Sequence, residues 1–144
     1  MPNPSDAPRK LFVDSAAWLA FFSARDGRHA DADRLMREAM ALKIPLLTTN
    51  LVLAEVHRLL LHRAGIQPAA TALERIDLSK AVTVLYPDAK LHREARSWLT
   101  KLGDQVISYA DAVSFSAMKA QQCHYALSFD HDFVTAGFSL WQGP

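Results

Sequence analysis

Four carboxylates stand where short β-like runs meet helical patterns. Asp14 follows Leu11-Phe12-Val13, Glu55 lies in the helical stretch after Leu46-Leu47-Thr48, Asp111 heads a helix after Ser108, and Asp130 follows Tyr125-Ala126-Leu127-Ser128-Phe129. Each alone has an ordinary structural use. Asp14 suits an N-cap, Asp111 the third position of a Ser108-Tyr109-Ala110-Asp111 capping box, Asp130 the cap of a short terminal helix, and Glu55 a solvated helix face. Together they suggest something else. In an open parallel sheet, the C-terminal strand ends and the helix starts that follow them share one edge, which is where ligands bind. Two unit charges about 4 Å apart repel by roughly 4 kcal/mol at an effective dielectric near 20, so four acids meeting at that edge call for a cation. All-oxygen ligation suits Mg²⁺ or Mn²⁺. Zinc finds no support, because there is no His-Glu-x-x-His segment, Cys123 is the single cysteine, and His57, His92, His124 and His131 show no ligand spacing. On a phosphate ester, carboxylates holding a hard dication imply phosphodiester hydrolysis.

The elements that must position these acids alternate along the chain. The expected strands are Leu11-Phe12-Val13, Leu46-Leu47-Thr48, Ala81 to Leu85, Tyr125 to Phe129 and a short edge strand at Phe138 to Trp141. Between them run helical patterns. Ala16 to Phe22 is apolar and stops near Asp26-Gly27; His29 to Leu42 places Ala32, Leu35, Met36, Ala39 and Met40 at helical spacing. Thr49 or Asn50 caps a helix carrying Val52, Glu55, Val56, Leu59 and Leu60, with Gly65 as its stop. Further helices are expected from Pro68 to Ile76, from Asp88 to Leu102, and from Ser108 to about Gln122. This alternation predicts an α/β domain with a central parallel sheet flanked by helices.

The bulk properties narrow the classes. With 144 residues, half of them hydrophobic, the chain suits one domain with a single core. The expected organisation is a flexible, Pro-rich N-terminal extension over residues 1–10 and one domain over residues 11–144. No apolar run approaches the roughly 20 residues of a membrane span, and the opening residues lack the basic and apolar regions of a secretory signal. One cysteine precludes a disulfide framework, and a cytoplasmic location is expected. The net charge of +1 hides an asymmetry: if several acids gather in one site, the remaining surface is basic and suits a polyanion. Arg58 and His62, three and seven positions after Glu55, share its helix face: Arg58 is read either as a phosphate contact or as part of a solvated polar face, and His62 as part of the solvated face.

Phe12-Val13-Asp14-Ser15-Ala16, Leu53-Ala54-Glu55-Val56, Ser108-Tyr109-Ala110-Asp111-Ala112 and Leu127-Ser128-Phe129-Asp130-His131-Asp132-Phe133 resemble, in order and spacing, the acidic motifs of PIN-domain nucleases. The likeness runs from Leu11 to Phe138 and is strongest to the toxins of VapBC toxin-antitoxin pairs. It implies a three-layer, flavodoxin-like fold, Mg²⁺- or Mn²⁺-dependent cleavage of RNA, a homodimer and inhibition by a cognate antitoxin. Asp14, Glu55, Asp111 and Asp130 fall on the family's four acidic positions, Ser15 on its small hydroxyl residue beside the first acid, and Ser128 on its Ser/Thr two places before the fourth. Asp132 is a fifth carboxylate that competes with Asp130 to face the metal. Asp130 is preferred because it ends the expected strand, and Asp104 is an exposed loop residue or a group supporting the third motif.

Other classes fit less well. A phosphoacceptor receiver domain needs a lysine after its last strands, and none follows Lys119; a haloacid-dehalogenase-type phosphatase needs an aspartate where Ala16 stands. The remaining alternative is a catalytically silent PIN-like module that binds RNA or protein, against which the presence of all four acids argues. Trp18, Phe21 and Phe22 make the first helix apolar on more than one face, by core burial or as a dimer or antitoxin surface.

Overall fold

Leu11, Phe12 and Val13 form β1 (Leu11–Val13) and are wholly buried, the mark of a parallel strand covered on both faces. Among the described residues it is the middle of five strands. A computed structural model describes residues 7–144, with β2 (Leu46–Thr49), β3 (Val82–Leu85), β4 (Tyr125–Leu127) and β5 (Ser139–Leu140) in the parallel order β3-β2-β1-β4-β5. The order reverses between β1 and β4, so Asp14 and the residues after Leu127 emerge side by side at the sheet's C-terminal edge.

Among the described residues, seven helices complete the three layers. α1 (Ser15–Phe22) packs on α2 (His29–Ala41) and α3 (Asn50–Ala64), and α3 packs on α4 (Ile66–Leu78). α5 (Ala89–Lys101) lies along α6 (Tyr109–Ala120), and the short α7 (Asp132–Thr135) precedes β5. The two-residue alternation of β1 sends its side chains to opposite layers. Phe12 meets Phe133 of α7 with ring centroids 6.2 Å apart, and Phe115 of α6 lies edge-on to Phe133 at 5.2 Å and against Trp98 of α5 at 5.5 Å. Toward α1, the Trp18 indole N–H donates to Thr48 Oγ1 at 3.3 Å, and that hydroxyl donates to the Val13 carbonyl at 3.2 Å. Trp18 is thereby pinned over β1 and β2, its one polar atom paired inside the core.

Local chemistry explains the helix ends. Thr49 accepts the Val52 amide and caps α3, Asp88 accepts the Leu91 amide and caps α5, and Ser108 with Asp111 forms the expected capping box. Gly65 joins α3 to α4 at φ +97°, a conformation that L side chains rarely adopt. Several boundaries differ from the sequence reading, among them α4, which runs from Ile66 to Leu78 where Pro68 to Ile76 was expected. α1 ends at Phe22, the last residue of the expected apolar run, and residues 23–28 form a loop in which Asp26 Oδ1 accepts the Arg28 amide at 2.9 Å. β4 ends at Leu127 instead of Phe129, because the Asp130 amide turns back onto the Ser128 hydroxyl.

The apolar excess of α1 is largely covered. Trp18 is buried, and Phe21 and Phe22 are half-buried with the Arg75 guanidinium 5.5 and 5.2 Å from their ring centroids. Cys123 is buried, with its thiol pushed up by burial. The extension expected over residues 1–10 lies, for residues 1–6, outside the described residues; Pro8 is buried, and Lys10 Nζ donates to the Gln121 carbonyl at 2.9 Å. Among the described residues no helix is long and apolar enough to cross a membrane.

Candidate active site

Asp14 leaves β1 with its amide donating to the Leu127 carbonyl at 3.2 Å and its carbonyl accepting the Trp18 amide at 3.0 Å. The backbone is thus held by β4 on one side and α1 on the other. The side chain makes no capping hydrogen bond to α1; Asp14 is 5% exposed, and its carboxylate instead accepts the Ser128 hydroxyl at 3.1 Å. A capping role does not account for it. Ser128 Oγ also accepts the Asp130 amide at 3.0 Å, so one buried hydroxyl orients the first acid and the loop carrying the fourth.

That loop holds two carboxylates. Asp130 Oδ1 accepts the Asp132 amide at 2.9 Å, a local turn that keeps both side chains on one short segment. Asp111 is fixed from α6, where its amide donates to Ser108 Oγ at 3.1 Å and its Oδ2 accepts the Ser108 amide at 3.4 Å. Asp111, Asp130 and Asp132 each bring an oxygen within 4.8 Å of the others, close enough to share one metal ion. Asp132 therefore belongs to the tight group, although the sequence reading placed it behind Asp130. Glu55 lies in the second turn of α3, half-buried and near enough to repel both Asp14 and Asp111.

The electrostatics record the crowding. Burial, with repulsion from Asp111 and Glu55, raises the Asp14 carboxyl to about 7 against the opposing hydrogen bonds from the Ser15 backbone and Ser128. Asp111 is raised by burial and by Asp130 and Glu55, despite two hydrogen bonds from Ser108 that favour its charged form. Asp132 is raised by burial, then by Asp130 and Asp111. A cation among these oxygens removes the repulsion, and the donor set, all carboxylate, is that of a hard dication. The residues fit a metal ion.

The remaining candidates divide by position. Ser15 is buried at the first position of α1, beside Asp14. Arg58 and His62 are exposed on α3, and Asp104 is exposed between α5 and α6. Arg28, Arg63 and Phe129 were missed by the sequence reading, although they line a cleft that also contains Asp130. No periodicity joins them, because Arg28 and Phe129 are 101 positions apart and meet only in the fold. Phe129 does lie inside the fourth acidic segment, the one local signal available.

This edge geometry, on this strand order, is that of a known class: residues 11–139 match the PIN domain, and the chain belongs to the PIN-domain family. Over 129 residues it is 40% identical to the 23S rRNA-specific endonuclease VapC20 of Mycobacterium tuberculosis, from strains CDC 1551 / Oshkosh and ATCC 25618 / H37Rv, covering 89% of this chain and 95% of that protein. The crystal structure of Mycobacterium tuberculosis VapC20, described as a sarcin-ricin loop cleaving toxin, superposes with a TM-score of 0.79 at 38% identity over 89% of this chain and 95% of that one.

Proposed function

We propose that the chain is a Mg²⁺- or Mn²⁺-dependent endoribonuclease acting as the toxin of a toxin-antitoxin pair, with Asp14, Glu55, Asp111 and Asp130 as its functional carboxylates and Asp132 as a fifth. The observation that carries this reading is the meeting of Asp111, Asp130 and Asp132 within 4.8 Å, beside a buried Asp14. The likeness to VapC20 supports structured ribosomal RNA as the substrate class and a cytoplasmic site of action. The same reading takes residues 11–144 as one nuclease domain, with residues 1–10 an extension, a cognate antitoxin as inhibitor and a second copy of the chain as partner.

Each side chain has a distinct task. Asp14 supplies a deeply set oxygen whose direction Ser128 fixes, and Ser15 helps keep that carboxylate ionised through its backbone N–H. Asp111 is anchored to its helix start, while Asp130 and Asp132 are held by their own turn, so the donors are arranged before substrate arrives. A bound dication supplies charge neutralisation and Lewis-acid polarisation of a phosphate ester. Five of the fifteen carboxylates sit at this edge, leaving ten to balance sixteen lysines and arginines over the rest of the chain. That imbalance, with Arg58 exposed on the Glu55 helix, draws a polyanion toward the site.

The test is direct cleavage. Purified chain incubated with ribosomal RNA cuts it in Mg²⁺ or Mn²⁺ and stops in EDTA. A silent binding module would retain RNA affinity and cut nothing under either condition.

A further inference from the structure

Beside the carboxylates opens a cavity of about 620 Å³, with Asp130 in its wall together with Arg28, Arg63, Phe129 and His131. The Arg28 guanidinium lies 4.7 Å from the Phe129 ring centroid, forming a cationic and aromatic pair at the solvent boundary. Its loop is held: Asp26 accepts the Arg28 amide through Oδ1 at 2.9 Å and meets the Arg63 guanidinium through Oδ2 at 3.3 Å. Asp26 offsets one of the two guanidinium charges, so the wall beyond Asp130 stays positive. Arg28 is exposed, and Phe129 is half-buried in the lining of the cavity.

We propose that this cleft is a nucleoside subsite, in which the RNA base next to the scissile phosphate stacks on the Arg28–Phe129 pair while the flanking phosphate meets the Arg28 and Arg63 cations. The proposal rests on the nuclease reading and adds to it where the substrate lies. A chain whose scissile phosphate sits at the carboxylates must continue into adjoining space, and this cavity shares Asp130 with them. Unpaired bases stack on aromatic rings and on guanidinium groups, and bases of every sequence present a π face. The volume falls in the range of small-ligand pockets, about 300–1,000 Å³, which suits one splayed nucleoside. The subsite therefore takes unpaired RNA, such as a loop, in preference to duplex.

Steady-state cleavage of a short single-stranded RNA oligonucleotide in Mn²⁺ tests this with the full chain and its R28A, F129L and F129W variants. R28A and F129L are expected to raise KM about tenfold, the size of one lost stacking contact, with kcat within about twofold of the parent. F129W, which keeps an aromatic face, retains the parent KM. The Arg28 side chain is exposed, so R28A decides the matter even if F129L loses its fold, and thermal melts identify that case. An unchanged KM in R28A and in folded F129L overturns the subsite, and it is the result expected if the cleft receives a protein segment. A parent chain with no metal-dependent cleavage overturns the nuclease reading itself, an outcome separate from the first.

Discussion

Asp14→Asn is expected to lower metal-dependent RNA cleavage by about a thousandfold while leaving the metal-free fold at least as stable as the parent. The loss follows from removing one full charge from the deepest donor of the site, and single groups that stabilise developing charge are worth about 10² to 10³ in rate. The fold survives because asparagine has nearly the same shape and keeps an oxygen to accept the Ser128 hydroxyl, now 3.1 Å from the carboxylate. It also removes a buried charge that Asp111 and Glu55 repel. In a domain of this size each kcal/mol gained raises the melting temperature by about 2–4 °C. Initial rates in Mn²⁺ and melts in EDTA check both halves. Full activity in the variant, or a melt several degrees lower, contradicts the assignment of Asp14.

The second large effect is a dependence of stability on pH in the absence of metal. The Asp14 carboxyl stands at about 7 in the folded chain against 3.8 for an unperturbed aspartate. Between those values the folded state binds more protons than the unfolded state at this group, so the contribution of Asp14 to stability is most favourable at about pH 4 and below and falls as pH rises toward 7. The full span corresponds to a loss of the order of 4 kcal/mol, since each pKa unit is about 1.4 kcal/mol. Asp111 and Asp132, also raised, act in the same direction. Urea denaturation in EDTA should give a lower unfolding free energy at pH 8 than at pH 5, with the difference reduced in Asp14→Asn. Saturating Mn²⁺ should restore stability at pH 8, because a ligand bound only by the folded state adds about 2.7 kcal/mol at a hundred times its Kd. A metal-free stability that is flat or rises from pH 5 to pH 8 contradicts the crowding of these carboxylates.

Much of the architecture was legible because its signals are local. Thr49, Asp88 and Ser108 cap the helices that follow them, Gly65 ends α3, and the apolar runs of β1, β2 and β4 sit at the centre of the sheet. The acids were legible for a related reason: parallel strands with intervening helices send every strand end to one edge, so sequence position alone implies convergence. What stayed hidden depends on contacts between distant segments. The inclusion of Asp132 in the tight trio follows from a turn in which Asp130 binds its amide, after a strand that stops two residues early because Ser128 captures the Asp130 backbone. The Trp18–Thr48–Val13 chain and the Arg28–Phe129 pair have no local pattern at all. Composition assigned the apolar excess of α1 to the core or to a partner, and only the fold shows Arg75 lying over Phe21 and Phe22.

Calorimetric titration of Mn²⁺ into the metal-free chain and its Asp130→Asn variant, near pH 7.5, tests most directly whether this edge is a metal centre. The parent should bind saturably, and the variant, with its fold intact, should bind at least about tenfold more weakly. No saturable binding by the parent, or equal affinity in both proteins, would mean that the gathered carboxylates serve some purpose other than holding a divalent ion.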